Sequence, residues 1–431
     1  MTEAGQPTPV DVTDLCQQLI RIDTSNPGGP EKPAAQLIAD ILATIDVPVH
    51  WFEPEPGRCS VIGRVRGSDP DLPPLLIHTH LDVVPAVAED WTHDPFGGEL
   101  HNGYVWGRGA VDMKGMVAMT IATLSRMAAA GRAPHRDLVV AFFADEEAGG
   151  QLGAGHVTAT RPELFAECVD AIGEVGGFSY TLTSKSRAYF VSTAEKGVWW
   201  AQLTGRGRAG HGSMINPDNA VTQLADAVSR VARYHSDTQF TPTTTATFDR
   251  LRLLLDSEGF SEDELLSQLE PLTRMLRAGL RNTVNPTQLH AGYKANVVPG
   301  NATGTIDARF LPDNEQQMRA HIAQLAGEHI RVDDLYSGPA LEAPLESRLL
   351  DAIGAALRSQ DGSAAVVPYM STAFTDAKWL HRLGINCYGF APMLLPDDVD
   401  FTALFHGVDE RIPVSALIFG VNVLERLLTD Y

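Results

Sequence analysis

An α/β fold interrupted by a smaller α+β unit is what the 431-residue sequence predicts, and three observations lead to it. Short apolar runs such as Leu138 to Ala144 alternate with helix-period segments up to about residue 190, the wiring of a sheet covered on both faces. From about Lys196 longer strand-like runs, WWAQLTGRG and TGTIDARF, surround amphipathic stretches, as in a sheet with helices on one face. After about residue 340 the first style resumes with helical LLDAIGAALRS and strand-like INCYGFAP. The predicted division is a main domain built from 1–195 and 341–431, with 196–340 inserted.

Within that frame, Leu75–Ile77 reads as the first buried strand, followed by a helix over MKGMVAMTIATLSRMAAAG with Asp112 as N-cap and Gly131 at C′. Leu138–Ala144 and Ala171–Ile172 are the next strands. NAVTQLADAVSRVARY reads as a helix of the insert. SEDELLSQLEPLTRMLRAGL begins on a capping box, Ser261 with Glu264, and is broken at Pro271.

Composition removes several classes of function. The chain is 44% hydrophobic with a net charge of −21, which repels phosphate backbones and anionic membranes. No apolar run approaches the roughly 18 residues of a membrane helix, and MTEAGQPTPVDVTDL lacks the basic and apolar regions of an export signal. Cys16, Cys59, Cys168 and Cys387 are scattered without a CxxC, as in a reducing compartment. The expectation is a cytoplasmic protein without nucleic-acid or membrane partners.

Charge gathers where strands end. The run VVAFFADEEAGG finishes on Asp145, Glu146 and Glu147, at the carboxyl end of a strand, where open α/β sheets place their ligand crevice. PPLLIHTHLDVVP repeats the pattern with His78, His80 and Asp82. Extended residues two apart share a face, so the Asp82 carboxylate can accept from one nitrogen of His80 while the other faces a ligand. WGRGAVDMKG adds Asp112, DAIGEVGG adds Glu174, and ALFHGVDERIP adds His406. Imidazoles and carboxylates in this combination suit zinc. One competing signal, GRGRAG at Gly205–Gly210, fits a dinucleotide fingerprint, but the next helix starts near Pro217, too late to receive a pyrophosphate.

As a set, HTHLDVVP, WGRGAVDMKG, ADEEAGG, GHGS, NVVPG with DARFLP, and FHGVDERIP resemble the cocatalytic zinc amidohydrolases and exopeptidases, the family of aminoacylase, acetylornithine deacetylase, succinyl-diaminopimelate desuccinylase and glutamate carboxypeptidase. The resemblance implies a mixed-sheet, zinc-peptidase-like catalytic domain carrying a lid and dimerisation domain. It implies two divalent ions, zinc first with cobalt or manganese as alternatives, bridged by Asp112; His80 and Glu174 complete one site, Glu147 and His406 the other. Glu146 would be the general base and Asp82 would orient His80. His211 would reach a substrate carbonyl in the partner subunit's site, and Asn296 and Arg309 would bind the substrate carboxylate. A cis peptide is implied between Asp112 and Met113.

The expected activity is hydrolysis of an amide beside a free carboxylate, in an N-acyl amino acid or short peptide, by a homodimer. STAFTDAKWL lacks the Gly-Gly pair that many relatives carry, which counts against a standard desuccinylase. The contrasting readings are succinyl-diaminopimelate desuccinylase or acetylornithine deacetylase, a non-catalytic binding protein on the same scaffold, and a nucleotide-dependent oxidoreductase.

Overall fold

A computed structural model describes residues 8–431. Its main sheet has ten strands in mixed orientation, in the order Val49–Glu55, Arg58–Val65, Leu138–Phe143, Leu75–His80, Asp170–Gly173, Asn386–Gly389, Ser186–Glu195 and Leu341–Glu342, with Ala364–Ser371 and Phe178–Thr183 also paired to Ser186–Glu195. The central strands are parallel: Leu75–His80 lies between Leu138–Phe143 and Asp170–Gly173. Both Leu75–His80 and Leu138–Phe143 are buried along their whole length. That accounts for their unbroken apolar sequences.

The helix Lys114–Ala129 is buried on almost every side, packed against Val414–Asp430, so its sequence is apolar and small rather than striped. Its N-cap is Met113, not Asp112 as the sequence suggested, and no side chain caps it. The Asp112 carboxylate is drawn elsewhere, as described below. Gly131 does take the left-handed conformation at φ 64° that ends the helix. Beside this helix, a three-stranded sheet (Glu99–His101, Tyr104–Trp106, Arg411–Pro413) joins the loop before the helix to a loop near the end of the chain.

A second, antiparallel sheet runs Thr283–Ala291, Asn301–Phe310, Gly197–Arg206, Ile330–Gly338. Asn301–Phe310 alternates buried and half-buried residues, the mark of a one-sided sheet. Helices Ala220–Ala232 and Glu315–Ala326 touch each other over this face and close a separate core around Trp199, Leu224, Ile306 and Phe310. Helix Ala220–Ala232 starts ten residues after Gly210, so no helix follows directly from GRGRAG as a dinucleotide fingerprint requires, although Gly207 packs against the backbone of Asp218 and Ala220 at the start of that helix. The segment between the two halves of this sheet behaves differently. Ser261 and Glu264 form the expected capping box, the helix stops before Pro271, and Phe248, Leu251, Leu265 and Leu276 join the core of the main sheet.

Candidate metal centre

Parallel strands put their carboxyl ends on one edge, and the three central ones each deliver a ligand-type side chain there. His80 is the last residue of its strand, Glu174 follows Asp170–Gly173, and Glu146 and Glu147 follow Leu138–Phe143 in a single 3₁₀ turn. That turn, entered through Asp145 at φ 69°, aims the two neighbouring glutamates apart; an extended strand does not continue to this point. Asp112 and His406 arrive from the loops flanking the three-stranded sheet.

The side chains meet as two triads sharing one residue: His80, Asp112 and Glu174; Asp112, Glu147 and His406. His80 Nε2 stands 3.1 Å from Asp112 Oδ1 and 3.1 Å from Glu174 Oε2. His406 Nε2 stands 3.3 Å from Asp112 Oδ2 and 3.1 Å from Glu147 Oε2. Each oxygen of Asp112 therefore serves a different histidine. Ligands held about 2.0–2.2 Å from a tetrahedral ion are themselves about 3.4 Å apart, so both groups fit a zinc-class dication. The Asp112–Met113 peptide is cis, as is Glu174–Val175.

Without a cation the carboxylates are poorly satisfied. Glu146 Oε1 and Glu147 Oε1 are buried with no hydrogen-bond partner among the described residues. Burial, and then the Asp112 charge, pushes Glu174 up to about 8. Burial and the Glu174 charge raise Glu146 well above the ordinary range. Hydrogen bonds with Asp112 and Glu147 lift His406 to about 10, while both histidines hold Asp112 low against the effect of its burial. This is a donor set in want of positive charge, the condition that a bound dication relieves.

Two clasps hold the set in place. The Nδ1–H of His80 donates to the backbone carbonyl of Asp82 at 2.9 Å, which fixes the tautomer and leaves Nε2 free as a ligand. The Asp82 carboxylate stands 3.7 Å from that ring. It accepts instead from the amides of Glu146 (3.0 Å) and Glu147 (3.1 Å) and from Asn26 Nδ2 (2.9 Å). Asp82 thus shapes the 146–147 turn through its side chain and the histidine through its backbone. The second clasp is Glu410, fully buried, which accepts from the amides of Gly109, Val111 and Asp112 and pairs with Arg108 at 2.7 Å. Its signal lay inside FHGVDERIP, where an acid between Asp409 and Arg411 reads as one more surface charge. His78 is buried against Gly173 and is not among the ligand groups.

A cavity of about 590 Å³ opens from Asp112, Glu146, Glu147, Glu174 and His406. Arg309, paired with Asp307 at 2.6 Å, lines it, as does Arg274 from helix Thr273–Ala278. Its other wall is aromatic: Phe178 packs on Phe401 at 4.7 Å and Phe401 on Phe405 at 4.8 Å, with Tyr369 edge-on to Phe178. Nothing in the local pattern marks Arg274, which reads as a solvated helix position, or aromatics gathered from residues 178 to 405. His211 and Asn296 do not line this cavity; His211 is exposed in a two-residue pairing with Val297, beside Asn296.

Comparison with known proteins gives the same picture. The model of peptidase family M20/M25/M40 matches residues 76–430. Aminoacylase-1 of Sus scrofa is 27% identical over 425 residues, covering 96% of this chain and 94% of its own. An N-fatty-acyl-amino acid synthase/hydrolase of Xenopus tropicalis is 28% identical over 395 residues, covering 87% and 75%. Among solved structures, an M20 family metallo-carboxypeptidase from Sulfolobus solfataricus superposes with a TM-score of 0.74 at 16% identity, covering 97% of this chain and 98% of that one. The chain belongs to peptidase family M20/M25/M40 and is a metal-dependent amide hydrolase.

Proposed function

We propose that the chain is an N-acyl amino acid amidohydrolase with a preference for bulky apolar acyl groups, working with two zinc-class ions. The observation that carries the two-ion reading is Asp112, whose two oxygens reach His80 and His406 separately, at 3.1 and 3.3 Å. His80 and Glu174 would hold one ion, Glu147 and His406 the other, with Asp112 between them. When bound, such a pair makes water nucleophilic near neutral pH and polarises a carbonyl. Glu146 takes the proton of the attacking water and returns it to the leaving amine. Asp82 positions Glu146 through the amide it accepts from. Arg309, with Arg274 beside the same cavity, offers a fork to the substrate carboxylate.

The aromatic wall supports the acyl preference. A free α-ammonium, as in a dipeptide, would lose its hydration against Phe178, Phe401 and Phe405, whereas an acyl chain gains by burial there. Turnover of N-acetyl, N-hexanoyl and longer N-acyl amino acids, measured beside dipeptides in zinc-loaded protein, tests this. The expected order is long acyl over acetyl over dipeptide. Hydrolysis of dipeptides in preference to every N-acyl amino acid would reverse the assignment.

The insert would serve as lid and dimerisation domain. Around His211 it exposes Met214 (70%), Ile215 (98%) and Tyr293 (83%), apolar area that a second copy would cover. His211 would then act in the partner's cavity, beside Asn296, on the developing oxyanion. Mixing inactive His211→Ala and Glu146→Ala chains should restore about a quarter of parental activity, because half of the random dimers of a two-fold assembly contain one intact site. Complete subunit exchange without recovery would place His211 outside the reaction. A cytoplasmic location is kept, supported by four free cysteines, three of them buried.

A further inference from the structure

Three side chains of the 91–101 segment converge away from the cavity. His93 Nδ1 lies 3.5 Å and His101 Nε2 2.6 Å from one and the same oxygen of Glu99. The two imidazoles are stacked, with centroids 4.0 Å apart and planes 18° from parallel. Trp106 sets its face at an angle to His93 at 4.6 Å, and its indole N–H donates to the His101 carbonyl. These contacts fix the ring of His93 beside a strand to which it does not belong.

One donor atom from each residue lies within 4.8 Å of the other two. Tetrahedral ligands of a zinc-class ion stand about 3.4 Å apart. His93 and Glu99 already have that spacing. Opening His101 from Glu99 to the same spacing takes less than about 1 Å, in side chains that are nearly half exposed and free to shift. Two imidazoles and a carboxylate select borderline transition metals and not calcium or magnesium.

The surroundings give the cluster something to hold. Pro95, in the loop between His93 and Glu99, accepts the Arg108 amide through its carbonyl at 2.8 Å, and Trp91 lies under the Arg108 guanidinium at 5.1 Å. Arg108 in turn pairs with Glu410. We propose that His93, Glu99 and His101 form a third metal site, binding one zinc-class ion with its fourth position open to water and clamping the 91–98 loop behind the Arg108–Glu410 pair.

The test is a difference measurement on the intact protein. Parent, His101→Ala and Glu99→Gln chains are dialysed against the same buffer with free zinc held at a low micromolar level, and bound zinc is counted per chain. Each variant should hold one equivalent less than the parent, whatever number the catalytic centre contributes. Zinc should also raise the parent's thermal midpoint further than that of either variant, while calcium should produce no such difference. Equal zinc content in parent and both variants overturns the site. A parent total of two falling to one in the variants would keep the third site and refute the two-ion catalytic centre, so the two readings fail separately.

Discussion

Glu146→Gln is expected to keep the parent's full metal content and lose about 10²–10⁴-fold in kcat, the range typical of a positioned general base. The substitution preserves shape and removes only the capacity to take a proton. Neither triad of donor atoms includes Glu146, so the ions have no reason to leave. Glu147→Gln, one residue on, removes a carboxylate 3.1 Å from His406 and should release or weaken one ion as well as lowering turnover. Metal content and kcat measured on both variants separate the roles. A Glu146→Gln protein that hydrolyses its best substrate at the parental rate would remove Glu146 from the proton path.

Breaking the Glu410 clasp should have the largest effect on stability. Glu410→Ala would leave Arg108, itself only 3% exposed, as a buried charge without its partner, and would strip three backbone amides of their acceptor. Removing one member of a buried pair costs about 3–5 kcal/mol. Because one of those amides belongs to Asp112, the loss should also reach the ligand shared by both triads, and metal retention should fall together with stability. Glu410→Gln keeps an acceptor oxygen while losing the charge, and should fall between the two. Denaturant midpoints and bound metal are the readouts. A Glu410→Ala chain that unfolds at the parental midpoint with its metals in place would show the clasp to be idle.

What could be read in the sequence was what depends on local pattern. The apolar strands and the acids or histidines just past their ends were visible because a covered parallel strand has no polar face, so the first charge marks its exit. Where two interpretations shared a local pattern, the structure chose between them. Asp112 before a helix looks like a cap, yet both its oxygens face histidines and the cap falls to Met113. His80 and Asp82 share a face, yet the turn amides of 146 and 147 compete for the carboxylate and win it. Least legible was everything decided by long-range packing. An amphipathic helix declares that it has a core to face but not which one, so nothing local told that Phe248 and Leu265 would join the main sheet's core. Arg274 rides on that same segment into the cavity and was hidden with it.

The strand order of the main sheet has a further consequence for the chain as it is made. Asn386–Gly389 lies in the interior, parallel to Asp170–Gly173 on one side and paired through Gly389 to Ser192 on the other. A nascent chain that has emerged only as far as the insert therefore carries a sheet with a gap in its middle, presenting two unpaired edges made of buried-type sequence. Such edges invite pairing with the wrong strand or with a neighbouring molecule. The last quarter of the chain closes that gap and in the same stroke brings His406 and Glu410 to residues synthesised some three hundred positions earlier. Closure of the sheet and the arrival of His406 beside Asp112 and Glu147 thus both depend on the same C-terminal stretch of chain.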